Sequence, residues 1–124
     1  MKKISIKINY KDERGFIVDL LEKKNINAIT YITQKKGKIR GNHFHKKTIQ
    51  WNYVLKGKLE LITKKNNKKK KIILSKGDLV ETSKNEAHAF RALRNSEFLV
   101  FTQGPRGGKE YENDTFRLKN PLIN

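Results

Sequence analysis

Two histidines separated by one residue, His43 and His45, are followed by Gln50 after a short turn, and a third histidine, His88, stands in a later run. Side chains alternate along a strand with a period of two, so residues at i and i+2 share a face. If Ile39–His45 is a strand, both imidazoles converge on one spot. Gln50 lies near the start of the next run, Thr48–Leu55, and can face the same interior. His88 shares its face with Phe90 and Ala92 in the run Ala87–Leu93. Imidazole titrates near neutrality, so such a cluster suits proton transfer. It also suits a divalent transition metal, because neutral imidazole ligates zinc, iron, manganese, nickel or copper. The two uses compete for the same lone pairs.

Converging these residues requires many short strands, and the sequence supplies them. β-rich or alternating runs occur at Lys3–Tyr10, Phe16–Leu21, Asn27–Thr33, Ile39–His45, Thr48–Leu55, Lys58–Thr63, Lys70–Leu74, Leu79–Thr82, Ala87–Leu93 and Glu97–Thr102. Gly15, Gly37, Gly57, Asn66-Asn67 and Gly77 punctuate them. That spacing predicts an all-β sandwich or barrel. No stretch holds a helical apolar period for three turns; Val18–Lys24 is the nearest and could form one turn. At 124 residues the chain suits one domain. Residues 104–124, with Pro105, Gly107, Gly108 and Pro121, are expected to pack on the barrel as a tail.

The strand around Gln50 also suggests a partner. Trp51, Tyr53 and Leu55 point away from Gln50, Asn52 and Val54, leaving an apolar row that needs covering. A homodimer is the expectation.

Composition narrows the rest. The chain carries 29 Lys+Arg against 12 Asp+Glu, a net charge of +17. Most of the excess is lysine, densest at Lys64–Lys71, which reads as a hairpin tip between two apolar strands. Aromatic residues do not interleave with that block as a base-stacking platform requires, so no nucleic-acid partner is expected. A positive field does favour a phosphorylated small molecule. The absence of cysteine excludes disulfides and thiolate metal sites. No apolar run approaches the ~20 residues of a membrane span, and the alternating N-terminus is unlike a signal peptide. A soluble, cytoplasmic protein with no membrane partner is expected.

The stretch Gly37-Lys38-Ile39-Arg40-Gly41-Asn42-His43-Phe44-His45-Lys46-Lys47-Thr48-Ile49-Gln50, continuing to Gly57, resembles the first motif of the cupin superfamily. Gly37, His43, His45, Gln50 and Gly57 keep that motif's spacing, with Gln where a Glu is usual. Gly77 and His88 keep their places in the second motif, while Ser83, Asn85 and Ala92 replace its proline, glycine and asparagine. All three histidines of the chain fall on cupin ligand positions. The resemblance implies a cupin-type jelly-roll β-barrel.

Within that superfamily, Arg40-Gly41-Asn42-His43-Phe44-His45-Lys46 with Gln50 is similar to small cupins acting on nucleotide-linked keto-sugars, above all the dTDP-sugar 3,4-ketoisomerases. Asp12-Glu13-Arg14-Gly15 and the strand through Tyr31-Ile32 match the same family's opening. The resemblance implies His43 as catalytic base and His45 as second proton carrier in an enolisation, and Gln50 in place of the usual Glu favours that use without a metal or other cofactor. It implies substrate binding by Arg40 at a diphosphate oxygen, with Gln50 and His88 lining the pocket. The competing use is a metal held by His43, His45, Gln50 and His88, in which the neutral Gln50 oxygen binds more weakly than the usual carboxylate. A catalytically silent sugar-binding cupin is the third alternative.

Overall fold

The computed structural model describes residues 1–124. The strands in chain order are β1 (Lys2–Ile4), β2 (Ile8–Asp12), β3 (Gly15–Val18), β4 (Ala28–Gln34), β5 (Ile39–Phe44) and β6 (Ile49–Lys56). Then come β7 (Lys58–Lys65), β8 (Lys68–Ser75), β9 (Leu79–Thr82), β10 (Ala87–Ala92) and β11 (Ser96–Gln103). A short helix, α1 (Gly108–Asn113), and β12 (Phe116–Arg117) complete the chain. One sheet has the order β1-β9-β6-β11-β4 and the other β12-β5-β10-β7-β8. β2 and β3 form a separate two-stranded sheet. The expected all-β jelly roll is present.

Alternation decides what each strand buries. In β11, Phe98, Val100 and Thr102 are buried while Glu97, Leu99 and Phe101 are partly exposed. Both large sheets send such residues inward, and Val54, Val80, Phe98 and Val100 meet Leu59, Leu61, Leu74, Phe90 and Ala92 in one core. Each fully buried side chain of this size contributes about 1.5–3 kcal/mol.

The inner faces change character along their length, and this creates the site. On β6 the inward series runs from Val54 in the core to Asn52 and Gln50; on β10 it runs from Ala92 and Phe90 to His88. One end of the barrel is therefore packed, and the other is lined with polar groups.

The structure departs from the sequence reading at three places. The run Lys3–Tyr10 is two strands, because Lys2–Ile4 pairs with β9 while Ile8–Asp12 pairs with β3 outside the barrel. Val18–Lys24 forms no helical turn: Val18 still belongs to β3, and Lys23 has a positive φ of 54°. Helix forms instead in the tail, where α1 leads into β12, and β12 pairs with β5. The tail is also tied to Asn42, whose side chain accepts the main-chain N–H of Leu122 and donates to the carbonyl of Ile123.

Candidate active site

β5 and β10 hold the histidines by direct pairing. His88 is the register partner of His43, and a bulge between His88 and Ala89 follows. Gly41 makes the close approach possible. Its φ is +94°, and a Cβ there would lie 2.7 Å from the main-chain oxygen of His88. His45 sits just past the end of β5. The ring centroids of His43 lie 4.8 Å from those of both His45 and His88, and His45 and His88 are 5.5 Å apart. One nitrogen from each imidazole falls within 4.8 Å of the others.

Hydrogen bonds set the tautomers of two rings. The Nδ1 of His45 lies 2.9 Å from the carbonyl oxygen of Asp114, and the Nδ1 of His88 lies 3.1 Å from that of Glu86. A carbonyl oxygen only accepts, so each Nδ1 donates, and in the neutral ring Nε2 keeps its lone pair. The Nε2 of His45 is buried without a partner.

Burial sets the charge. His45 and His88 are 2% and 4% exposed, and His43 is half-buried. Desolvation lowers the pKa of His43 to about 4, helped by repulsion from His45 and Arg117 and opposed by Glu112. Desolvation also lowers His45, although its hydrogen bond to the Asp114 carbonyl opposes this. His88 is pushed well below the usual histidine range by desolvation and then by His43 and His45. All three rings are therefore neutral at pH 7.

A cavity of about 480 Å³ opens onto the cluster. Arg40, His43, Gln50 and His88 lie on its wall, so four of the five residues singled out in the sequence meet there. His45 belongs to the same histidine cluster but is not part of the wall.

Sequence reasoning missed Arg106 and Tyr111, which also line the cavity. The Arg106 guanidinium stacks 4.3 Å from the Tyr111 ring centroid, and that ring lies 5.4 Å from His45. Both belong to the segment that returns across the pocket, for which no local pattern exists. Asn52 was legible, since it shares the inner face of β6 with Gln50. The wall thus carries two guanidinium groups and no carboxylate, a setting that attracts anions.

The sequence model of a family described as polysaccharide biosynthesis C-terminal domain matches residues 10–115. No curated protein matches the sequence. Among solved structures, a 3,4-ketoisomerase from Helicobacter canadensis is similar, with 24% identity, 94% of this chain and 90% of that one covered, and a TM-score of 0.80. A doubly substituted 3,4-ketoisomerase from Thermoanaerobacterium thermosaccharolyticum, in complex with TDP, aligns at 24% identity over 94% and 86% of the two chains, TM-score 0.78. An epimerase from Mycobacterium tuberculosis aligns at 14% identity over 94% and 67%, TM-score 0.77. These likenesses establish the fold.

Proposed function

The chain belongs to the polysaccharide biosynthesis C-terminal domain family, and from that premise we propose that it is an isomerase or epimerase of a nucleotide-activated 4-keto-6-deoxy sugar, working as a 3,4-ketoisomerase. The observation that carries this is His43: neutral, half-buried and on the wall of a cavity that also presents Arg40 and Arg106. The similarity to 3,4-ketoisomerases, one of them in complex with TDP, supports the same substrate class.

In this reading the diphosphate lies against Arg40 and Arg106, whose planar guanidinium groups match its oxygens. The sugar ring then reaches the histidine end of the cavity. His43 takes the proton from the carbon beside the ketone, and the electron pair moves to the ketone oxygen, which takes up a proton to give an enediol. The neighbouring hydroxyl loses its proton, and the former carbonyl carbon gains one, so the carbonyl shifts by one carbon. No oxidant or reductant is consumed. His45 is the second proton carrier and is reached through His43. Gln50 and His88 contact the sugar from the wall.

Neutral histidine is the form a base requires, but a pKa of about 4 makes it a weak one. A bound diphosphate brings negative charge into the cavity and favours the imidazolium. Substrate binding thus raises the basicity of the residue that must act on it.

The experiment is incubation of dTDP-4-keto-6-deoxyglucose in heavy water with wild type and His43→Asn. Deuterium should enter the sugar ring with wild type only. No exchange from this or related keto-sugars removes the enzyme reading and leaves a sugar-binding protein.

A homodimer and a cytoplasmic location belong to the same proposal. The dimer is supported by apolar side chains left open on the β2–β3 hairpin and on β4. Cell fractionation tests the location.

A second reading is favoured by one observation, the buried Nε2 of His45 with no partner. Three imidazole nitrogens within 4.8 Å of one another fit a divalent transition metal, which His43, His45 and His88 would hold with Gln50 as a weak fourth ligand. Such an ion would supply Lewis-acid polarisation of a substrate oxygen. Elemental analysis of freshly purified wild type and His45→Ala tests it. A stoichiometric metal lost in the variant establishes the second reading over the first.

A further inference from the structure

The orientation of His45 hangs on one hydrogen bond. Its Nε2 has no partner, and its Nδ1 meets only the main-chain oxygen of Asp114, a residue 69 positions away in the chain. A 180° flip of the ring would put carbons where Nδ1 and Nε2 now stand, so whatever places that oxygen decides whether the ring presents Nε2 or a carbon to the histidine cluster.

Asp114 is 4% exposed, and its carboxylate is fully engaged with the loop that follows His45. One oxygen accepts the main-chain N–H groups of Lys46 at 3.0 Å and Lys47 at 3.1 Å. The other accepts the Thr48 hydroxyl at 2.7 Å and a longer contact from Lys47 at 3.2 Å. Every donor comes from the three residues next to His45. The end of α1 steadies the other side, since the Asp114 N–H reaches the Tyr111 carbonyl at 3.1 Å.

We propose that Asp114 is a positioning residue for His45, its carboxylate clipping the Lys46–Thr48 loop so that its own carbonyl oxygen fixes the ring with Nε2 unprotonated toward the cluster. The side chain and main chain of one residue grip two ends of the same short segment. Bonds from main-chain N–H groups to a carboxylate are stronger than neutral ones, which suits a clip that must hold position. This inference rests on reading the pocket as the reactive site, and it holds whether the His45 lone pair serves a proton or a metal. An outer partner of this kind orients a ring and sets its tautomer.

The test pairs a spectroscopic readout with a kinetic one. Long-range proton–nitrogen NMR on ¹⁵N-histidine protein, with the His45 signals assigned by their loss in His45→Asn, reads the tautomer directly. Wild type should show a protonated Nδ1 and a bare Nε2 on His45. Asp114→Ala should mix or reverse them. Asp114→Asn should keep the wild-type pattern, because its amide oxygen retains the Lys46 and Lys47 bonds and its NH₂ can donate to Thr48. In the deuterium-exchange assay, kcat should fall about 10- to 100-fold in Asp114→Ala, with KM unchanged within about twofold, and recover in Asp114→Asn.

A structural staple alone would lower the melting temperature without moving the nitrogen signals, and that result overturns the proposal. So does a wild-type His45 protonated on Nε2, which decides the matter even if Asp114→Ala does not fold. The NMR arm needs no substrate. A correct tautomer without exchange from any keto-sugar therefore counts against the proposed reaction and not against the clip.

Discussion

His43 and His88 face each other across β5 and β10 as register partners, with ring centroids 4.8 Å apart and planes at 89°. Neither ring can take a proton without placing a charge beside the other in a site that has already lost water. Repulsion from His43 and His45 adds to desolvation in lowering His88, while desolvation, then His45 and Arg117, lower His43, and the cluster stays neutral over the working range of most enzymes.

The first expectation concerns the pH profile of the proposed reaction. The acid limb of kcat/KM reports the free enzyme and should lie near the His43 value of about 4. The limb of kcat reports the complex and should lie higher, since bound diphosphate stabilises the cation. Steady-state rates between pH 3.5 and 8 check both. Coincident limbs near 6.5 would mean that His43 is neither desolvated nor the base.

Acid should also destabilise the fold. All three histidines have folded pKa values below the unfolded reference of 6.5, so the unfolded chain binds more protons once pH drops past that value. Their contribution is complete above about pH 6.5 and is lost as pH falls toward the His43 value of about 4. Melting temperatures should decline across that window, less steeply in His43→Asn, which removes one of the three groups. A flat profile from pH 6.5 to 4.5 contradicts the burial argument.

Much of this site was readable because it is local. His43, His45 and Gln50 lie on one strand–turn–strand unit, where period-two alternation and one turn decide which side chains meet; Arg40, three residues before His43, reaches the same wall because Asn42, at φ 59°, is skipped in the pairing of β5 with β10. His88 followed because β10 is the direct partner of β5. Arg106, Tyr111 and Asp114 were not readable, since their place depends on how the tail crosses back over strands far away in sequence. Of the Trp51–Leu55 row, expected to need a partner, only Trp51 is fully covered, Tyr53 is partly buried and Leu55 remains exposed. Trp51 is buried within the chain, donating to Glu81 at 2.9 Å with the Lys24 ammonium 5.7 Å above its ring.

The two cavity arginines should separate binding from chemistry. Arg40→Ala and Arg106→Ala each remove a guanidinium that the proposal places on the diphosphate, and a bond of that type contributes about 1.5–3 kcal/mol. KM should rise about 10- to 100-fold with kcat changed far less. Lysine at either position should restore only part of the loss, because a point charge lacks the planar fork. Isothermal titration with TDP gives the same order without turnover. Unchanged TDP affinity in both variants would move the diphosphate elsewhere.

The lysine hairpin should be dispensable. Asn66 and Asn67, at φ 51° and 62°, form the two-residue turn joining β7 to β8, and Lys68–Lys71 are exposed along β8. Replacing Lys68, Lys69, Lys70 and Lys71 by Ser or Gln should leave keto-sugar turnover within about twofold, since exposed charges contribute little individually. Salt-sensitive DNA binding that disappears with these lysines would revive a nucleic-acid role.

The proposed homodimer is best tested at a surface that differs from the one the sequence suggested. Ile8, Tyr10, Phe16 and Ile17 on the β2–β3 hairpin, and Ile29 and Tyr31 on β4, are each more than half exposed. The hairpin pairs with neither large sheet, and β4 is an edge strand with one side unpaired. A lone two-stranded hairpin is marginal in water, and an apolar edge strand invites pairing. One chain therefore carries both an apolar hairpin and an open apolar edge, and two copies related by a two-fold axis can cover each other's. Because Tyr31 also lines the cavity, assembly would reach the substrate mouth. Light scattering at micromolar concentration should give twice the mass of the 14.5 kDa chain. Phe16→Lys with Ile17→Lys should give a folded monomer with intact circular dichroism and a raised KM. A wild-type monomer at that concentration ends the dimer proposal, and a dimer unaffected by the double variant places the contact on another face.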